Sequence, residues 1–140
     1  AQDYETAEPE AWMAAFRVNT VAPFVVARAF ADHVAASDRR VMAFLSSRLG
    51  SIAQSTGGFY HYRAAKAALN MVVKNLAADL QGRGITSVAL HPGWVRTNMG
   101  GSMATLSPAE SVRALKPVID GLGPADNGRF IDHRGDDLPW

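Results

Sequence analysis

The sequence predicts an α/β fold built on a short parallel sheet. Three observations carry that expectation. Val41–Leu45 is a continuous apolar run, the signature of a strand buried on both faces of a parallel sheet. Residues 85–90 and 128–133 supply two more strand-like segments. Long stretches of helical periodicity separate all three, as crossover connections require.

The elements follow in order. Residues 1–7 are polar and read as irregular. Glu8, Pro9 and Glu10 mark a helix start, with proline in the first turn and acids near the positive end of the dipole. Trp12, Phe16, Val18, Ala22, Val25, Val26 and Phe30 recur at three- and four-residue spacing, predicting one long helix over about 8–36, bent near Pro23. Residues 37–40 form a turn into the first strand, which ends at Ser46-Ser47. The chain from 48 to 59 is a loop with Gly50, Gly57 and Gly58. A helix follows over about 60–81, alanine-rich, with Leu69, Val72, Val73, Leu76 and Leu80 as its apolar stripe and Gly82-Arg83-Gly84 as its stop. After the second strand come Pro92-Gly93 and a Met- and Gly-containing stretch, 98–106, that reads equally as a substrate lid or a connector. Ser107-Pro108-Ala109-Glu110 is a helix start of the capping-box type. That helix should run to about Asp120, kinked or shortened at Pro117. Trp140 could pack on its own domain or sit at an interface.

Composition narrows the function. The chain has 140 residues, enough for one domain with a core over 1–140, and a formal net charge of +1, which gives no electrostatic case for nucleic acid or a membrane surface. No cysteine is present, which removes disulfides and thiolate metal sites and suits a cytoplasmic protein. No segment approaches the ~18 consecutive apolar residues of a membrane helix, and no basic-then-apolar leader pattern opens the sequence. The four histidines, His33, His61, His91 and His133, show no metal-ligand spacing with acidic residues.

The chemistry concentrates between Ser46 and Lys66. Tyr62 and Lys66 are four residues apart, so a helix puts them on one face. A neighbouring ammonium favours the phenolate and should lower the tyrosine pKa, giving a phenol that trades a proton near neutral pH. A serine hydroxyl at the end of the preceding strand lies where ligands bind in open α/β sheets. Together the three could hold and protonate a carbonyl while another group delivers a hydride. A Tyr-x-x-x-Lys pair alone also fits an ordinary tyrosine packed on a lysine stem. The ordered set is what argues for chemistry: strand, Ser-Ser, Gly-rich loop, Tyr-x-x-x-Lys, strand, Pro-Gly.

In this order the sequence resembles the short-chain dehydrogenase/reductases. More narrowly, Ser46 to Ile52, Tyr62 to Met71, His91 to Gly101 and the ending Phe130-Ile131-Asp132 … Leu138-Pro139-Trp140 resemble the C-factor and sniffer-type carbonyl reductases of that superfamily. The resemblance implies the carboxyl-terminal half of a Rossmann-like doubly wound parallel sheet, of about three strands and three to four helices. It implies reduction of a small carbonyl compound, or oxidation of an alcohol, with NADP, and leaves NAD open. It makes Tyr62 the proton donor, Ser47 the hydrogen-bond donor to the carbonyl, and Lys66 the partner of both the tyrosine and the cofactor ribose. Asn19 matches the family's helix asparagine of the proton relay. Its plainer reading is a polar helix residue bonding locally. Pro92, Gly93, Val95 and Thr97 match the family's nicotinamide-contacting loop. The helices over 8–36 and 60–81 match those that often pair two copies across a two-fold axis.

Two departures from the family pattern stand out. Ser47 lies fifteen residues before Tyr62, two more than the commonest family spacing. Counting from Gly50 matches Ser47 to the catalytic serine, with its neighbour Ser46 as the alternative. The Gly-rich dinucleotide fingerprint is absent, because Gly57-Gly58 and Gly100-Gly101 lack its spacing and setting. The family's first four strands would precede residue 1, so the first strand here is expected at a sheet edge with one face poorly covered. That absence motivates an alternative: a non-catalytic, C-factor-like signalling or interaction protein, or an inactive fragment.

Overall fold

The computed structural model describes residues 3–140. Three parallel strands, β1 (Val41–Leu45), β2 (Thr86–His91) and β3 (Phe130–Asp132), lie side by side in that order. Leu45 pairs with Leu90, and Ala89 with Phe130, so the carboxyl ends of all three strands share one edge of the sheet.

Strand alternation sends side chains to two cores. Met42, Phe44, Ala89 and Phe130 face one side. There they pack on Ala27 and Ala31 of α2 (Ala22–Ala36) and on Leu69, Val73 and Leu76 of α3 (Tyr60–Asp79). Val88, Leu90 and Ile131 face the other side, against Leu115 of α4 (Pro108–Gly121) and Leu122. Helices on both faces and parallel strands between them make a doubly wound arrangement. On the α4 side, β1 is only partly covered: Val41 packs on that core, but Ala43 is exposed and Leu45 is 59% exposed. Among the described residues β1 pairs only with β2, so the expected uncovered edge is present.

The first helix is not continuous. Helix α1 (Pro9–Phe16) runs into a π-turn over Arg17–Val21 before α2 begins. There the N–H of Ala22 donates to Arg17 O, five residues back rather than four. Pro23, where the bend was expected, follows directly after this turn, at the start of α2. Pro117 lies inside α4 and does not end it. Its position is exposed, so water can serve the carbonyl that proline leaves without a donor. The capping box at Ser107 and Glu110 forms as the sequence predicts: Glu110 N donates to Ser107 Oγ at 3.2 Å and Ser107 N to Glu110 Oε2 at 2.7 Å.

Of the segment read as irregular at the start, residues 1 and 2 lie outside the described residues. Thr6 N donates to Asp3 O at 3.4 Å and closes a turn there. Trp140 packs on its own domain. Its ring stacks on Phe130 at 5.3 Å, Lys74 Nζ sits 5.2 Å from the ring centre, and its carbonyl accepts from Ala53 N at 3.0 Å.

Candidate active site

Adjacent serines at the end of β1 face different partners. Strand geometry requires this, since successive side chains alternate. Ser46 is buried and donates from Oγ to Asn70 Oδ1 at 2.5 Å, while Asn70 Nδ2 donates to Gly50 O at 3.3 Å. It is committed to the core of α3. Ser47 takes the other direction. Its Oγ accepts from Leu49 N at 3.2 Å, capping the short turn Arg48–Gly50, and its side chain is hydrogen-bonded to Tyr62.

Tyr62 sits in the first turn of α3. The helix starts sharply because Gly57, Gly58 and Phe59 all adopt positive φ, at 86°, 67° and 49°. Two glycines do so freely, whereas Phe59 carries strain at the helix entrance. Lys66 follows one turn later and is 9% exposed. Its Nζ lies 5.8 Å from the centre of the Tyr62 ring and donates to Leu45 O at 2.9 Å. Gly50 makes room for this lysine: a Cβ there would come within 2.9 Å of Lys66 Cβ. The loop after Ser47 therefore presses directly on the helix at Lys66.

The electrostatics correct one expectation. Burial pushes the Tyr62 phenol above its ordinary pKa, and the Ser47 hydrogen bond only partly opposes it. Burial also pushes the Lys66 ammonium down. The lowered tyrosine expected from the Tyr-x-x-x-Lys spacing does not appear, because desolvation of the phenolate dominates.

Asn19 lies in the π-turn and donates from Nδ2 to Ala15 O at 3.1 Å, the local bond of the plainer reading. Its neighbour makes the cross-connection. Thr20 Oγ1 donates to Ala65 O at 2.8 Å, joining the π-turn to the residue before Lys66. Nothing in the sequence pattern singled out Thr20.

Pro92, Gly93, Val95 and Thr97 follow β2 at the same sheet edge as Ser47. Gly93 has φ of 85°, and a Cβ there would meet Leu106 Cδ1 at 2.5 Å and the His133 ring at 3.2 Å. Pro92 O accepts from Ser111 Oγ at 2.6 Å. Val95 bridges Leu106. Thr97 Oγ1 accepts from Gly100 N at 3.1 Å. Trp94 Nε1 donates to Gly100 O at 2.8 Å, and Arg96 N to Leu106 O at 2.7 Å. The stretch 98–106, lid or connector by sequence, is thus tied at several points to residues 94–97. Met99 and Met103 remain exposed on it. Gly100 was invisible as a requirement in the sequence, yet a Cβ there would fall 1.9 Å from Val95 O.

Beside this loop, His91 packs edge-on against His133, with ring centres 6.4 Å apart. Burial lowers the His91 pKa to about 4, aided by the nearby Arg48 and His133 and opposed by Asp132.

A serine and a tyrosine in hydrogen-bond contact, a buried lysine one turn on and a Pro-Gly loop at the next strand end thus gather at one edge of the sheet. The family model for short chain dehydrogenase matches residues 1–106, and the chain belongs to that family. It is similar to C-signal of Myxococcus xanthus, 46% identical over 126 residues that cover 89% of this chain and 76% of that protein. Among solved structures it resembles the carbonyl reductase Sniffer of D. melanogaster, with a TM-score of 0.93 and 36% identity, over 98% of this chain and 60% of that one. An NADPH-bound carbonyl reductase from chicken fatty liver matches with a TM-score of 0.92 and 30% identity, over 100% of this chain and 61% of that one. The chain therefore spans about three-fifths of the length of these solved relatives. No helix among the described residues is long and apolar enough to cross a membrane.

Proposed function

We propose that this chain carries the catalytic face of an NADP-dependent carbonyl reductase acting on a small carbonyl compound. The observation that supports it most is the Ser47–Tyr62 hydrogen bond with Lys66 one turn away, at the carboxyl end of β1. Tyr62 Oη holds the proton that passes to the carbonyl oxygen. Ser47 Oγ donates a hydrogen bond to the same oxygen and orients it. Lys66 Nζ stands behind the phenol as the route by which its proton is replaced. Pro23 has no N–H to offer the Asn19 carbonyl one turn before it, which leaves that carbonyl suited to the relay.

The donor set fits one end of a nicotinamide dinucleotide. Lys66 suits the ribose, and the Gly93 loop with Val95 and Thr97 suits the nicotinamide. The sequence has no Gly-x-Gly-x-x-Gly turn for the pyrophosphate, so nothing in it is assigned to the adenosine end. The cofactor, when bound, supplies the hydride.

Replacing Tyr62 by Phe tests the reading. NADPH oxidation with a panel of small carbonyls is expected to fall by about 10²-fold or more, with NADPH binding nearly unchanged. Unchanged turnover would refute it. A second reading, an interaction module without turnover, is favoured by the outward face of α2, where Val25, Val26 and Phe30 are exposed. The same face suits pairing of two copies through the helices over 8–36 and 60–81. Sedimentation of Phe30→Glu against the parent chain decides that point, and a parent chain that sediments as a monomer removes it.

A further inference from the structure

Thr20 is buried, and it spends its hydroxyl unusually. A threonine in a helix ordinarily turns Oγ1 back to a carbonyl of its own preceding turn. Thr20 instead donates to Ala65 O of a different helix at 2.8 Å. Thr20 lies within the π-turn, and its hydroxyl faces Ala65 of α3. The receiving surface is narrow, since Ala65 is fully buried and carries only a methyl group.

The contact joins two positions that matter. Asn19 precedes Thr20, and Lys66 follows Ala65. Lys66 is already held at its ammonium by Leu45 O and pressed at its Cβ by the Gly50 loop. The Thr20 bond is a third tie, and it fixes the π-turn relative to the same lysine.

We propose that Thr20 is a positioning residue that sets the Asn19 turn against the Lys66 segment of α3. The proposal rests on the reading that Tyr62 and Lys66 carry the proton transfer. It differs from simple packing, which needs the Thr20 methyl rather than the hydroxyl.

Two variants separate these roles with opposite expectations. Thr20→Val keeps shape and loses the hydroxyl, while Thr20→Ser keeps the hydroxyl and loses the methyl. Positioning predicts that Thr20→Val lowers kcat about 10-fold or more with KM for the carbonyl unchanged, and that Thr20→Ser restores it. Amide exchange reads the same contact without cofactor or turnover. Residues 17–21 and Lys66 should exchange faster in Thr20→Val and as in the parent in Thr20→Ser. Should Thr20→Val fail to melt cooperatively, Thr20→Ala replaces it against the same serine reference. Parent-like exchange in Thr20→Val, or losses in Thr20→Ser equal to those in Thr20→Val, would overturn the proposal. Retained turnover in Tyr62→Phe would instead overturn the catalytic reading and leave the exchange result standing by itself.

Discussion

The Lys66 ammonium donates to the Leu45 carbonyl at 2.9 Å, so the helix residue is anchored to the end of the strand that delivers Ser47. One bond thus fixes the separation between the strand end and the helix that carries Tyr62. Replacing Lys66 by Met removes a buried cation and one hydrogen bond together. Because the ammonium is already disfavoured by burial, the stability change is expected within about 1 kcal/mol. Turnover should fall about 10²-fold or more. Denaturant unfolding and carbonyl-dependent NADPH oxidation check the two parts.

The two serines should separate cleanly. Ser47→Ala is expected to lower turnover about 10²-fold and to cost about 1 kcal/mol for the lost cap on the Arg48–Gly50 turn. Ser46→Ala leaves Asn70 Oδ1 buried without its donor, which should cost about 1–3 kcal/mol while turnover stays near the parent value. The reverse pattern would make Ser46 the catalytic serine.

Gly50→Ala places a Cβ 2.9 Å from Lys66 Cβ and 2.9 Å from its carbonyl carbon. Backbone must move, and the expected loss is about 1–3 kcal/mol. Turnover should fall with it, since Lys66 is displaced. Parent-like melting of this variant would show that the loop yields instead.

His91 gives stability a pH dependence whose sign is fixed. Its imidazole titrates near 6.5 when unfolded and at about 4 in the folded protein, so between those values the unfolded chain binds the extra proton. Stability is full above that window and falls as the pH drops through it, by up to about 3 kcal/mol. Urea unfolding of His91→Gln should show a flatter slope there than the parent. Equal slopes would assign the loss to carboxylates.

Much of the site was legible because its signals are local. The Tyr62–Lys66 spacing, the Ser46-Ser47 strand end, the Pro92-Gly93 turn and the capping box at Ser107 each depend on neighbours in sequence, and each stands where the pattern puts it. Which serine meets Tyr62 needed the pleat of β1 and the position of Asn70 on α3. The direction of the Tyr62 pKa needed burial, which no spacing encodes. The π-turn at Arg17–Val21 escaped because proline draws attention to Pro23 while the extra residue lies before it. Thr20, Gly50 and Gly100 matter through contacts made across the fold, with Ala65, Lys66 and Val95. The sequence by itself determined the elements and the residue types that line the candidate site, since periodicity and caps are short-range. Tertiary structure decided which groups meet and how they are charged, since desolvation and close approach exist only after the chain has packed.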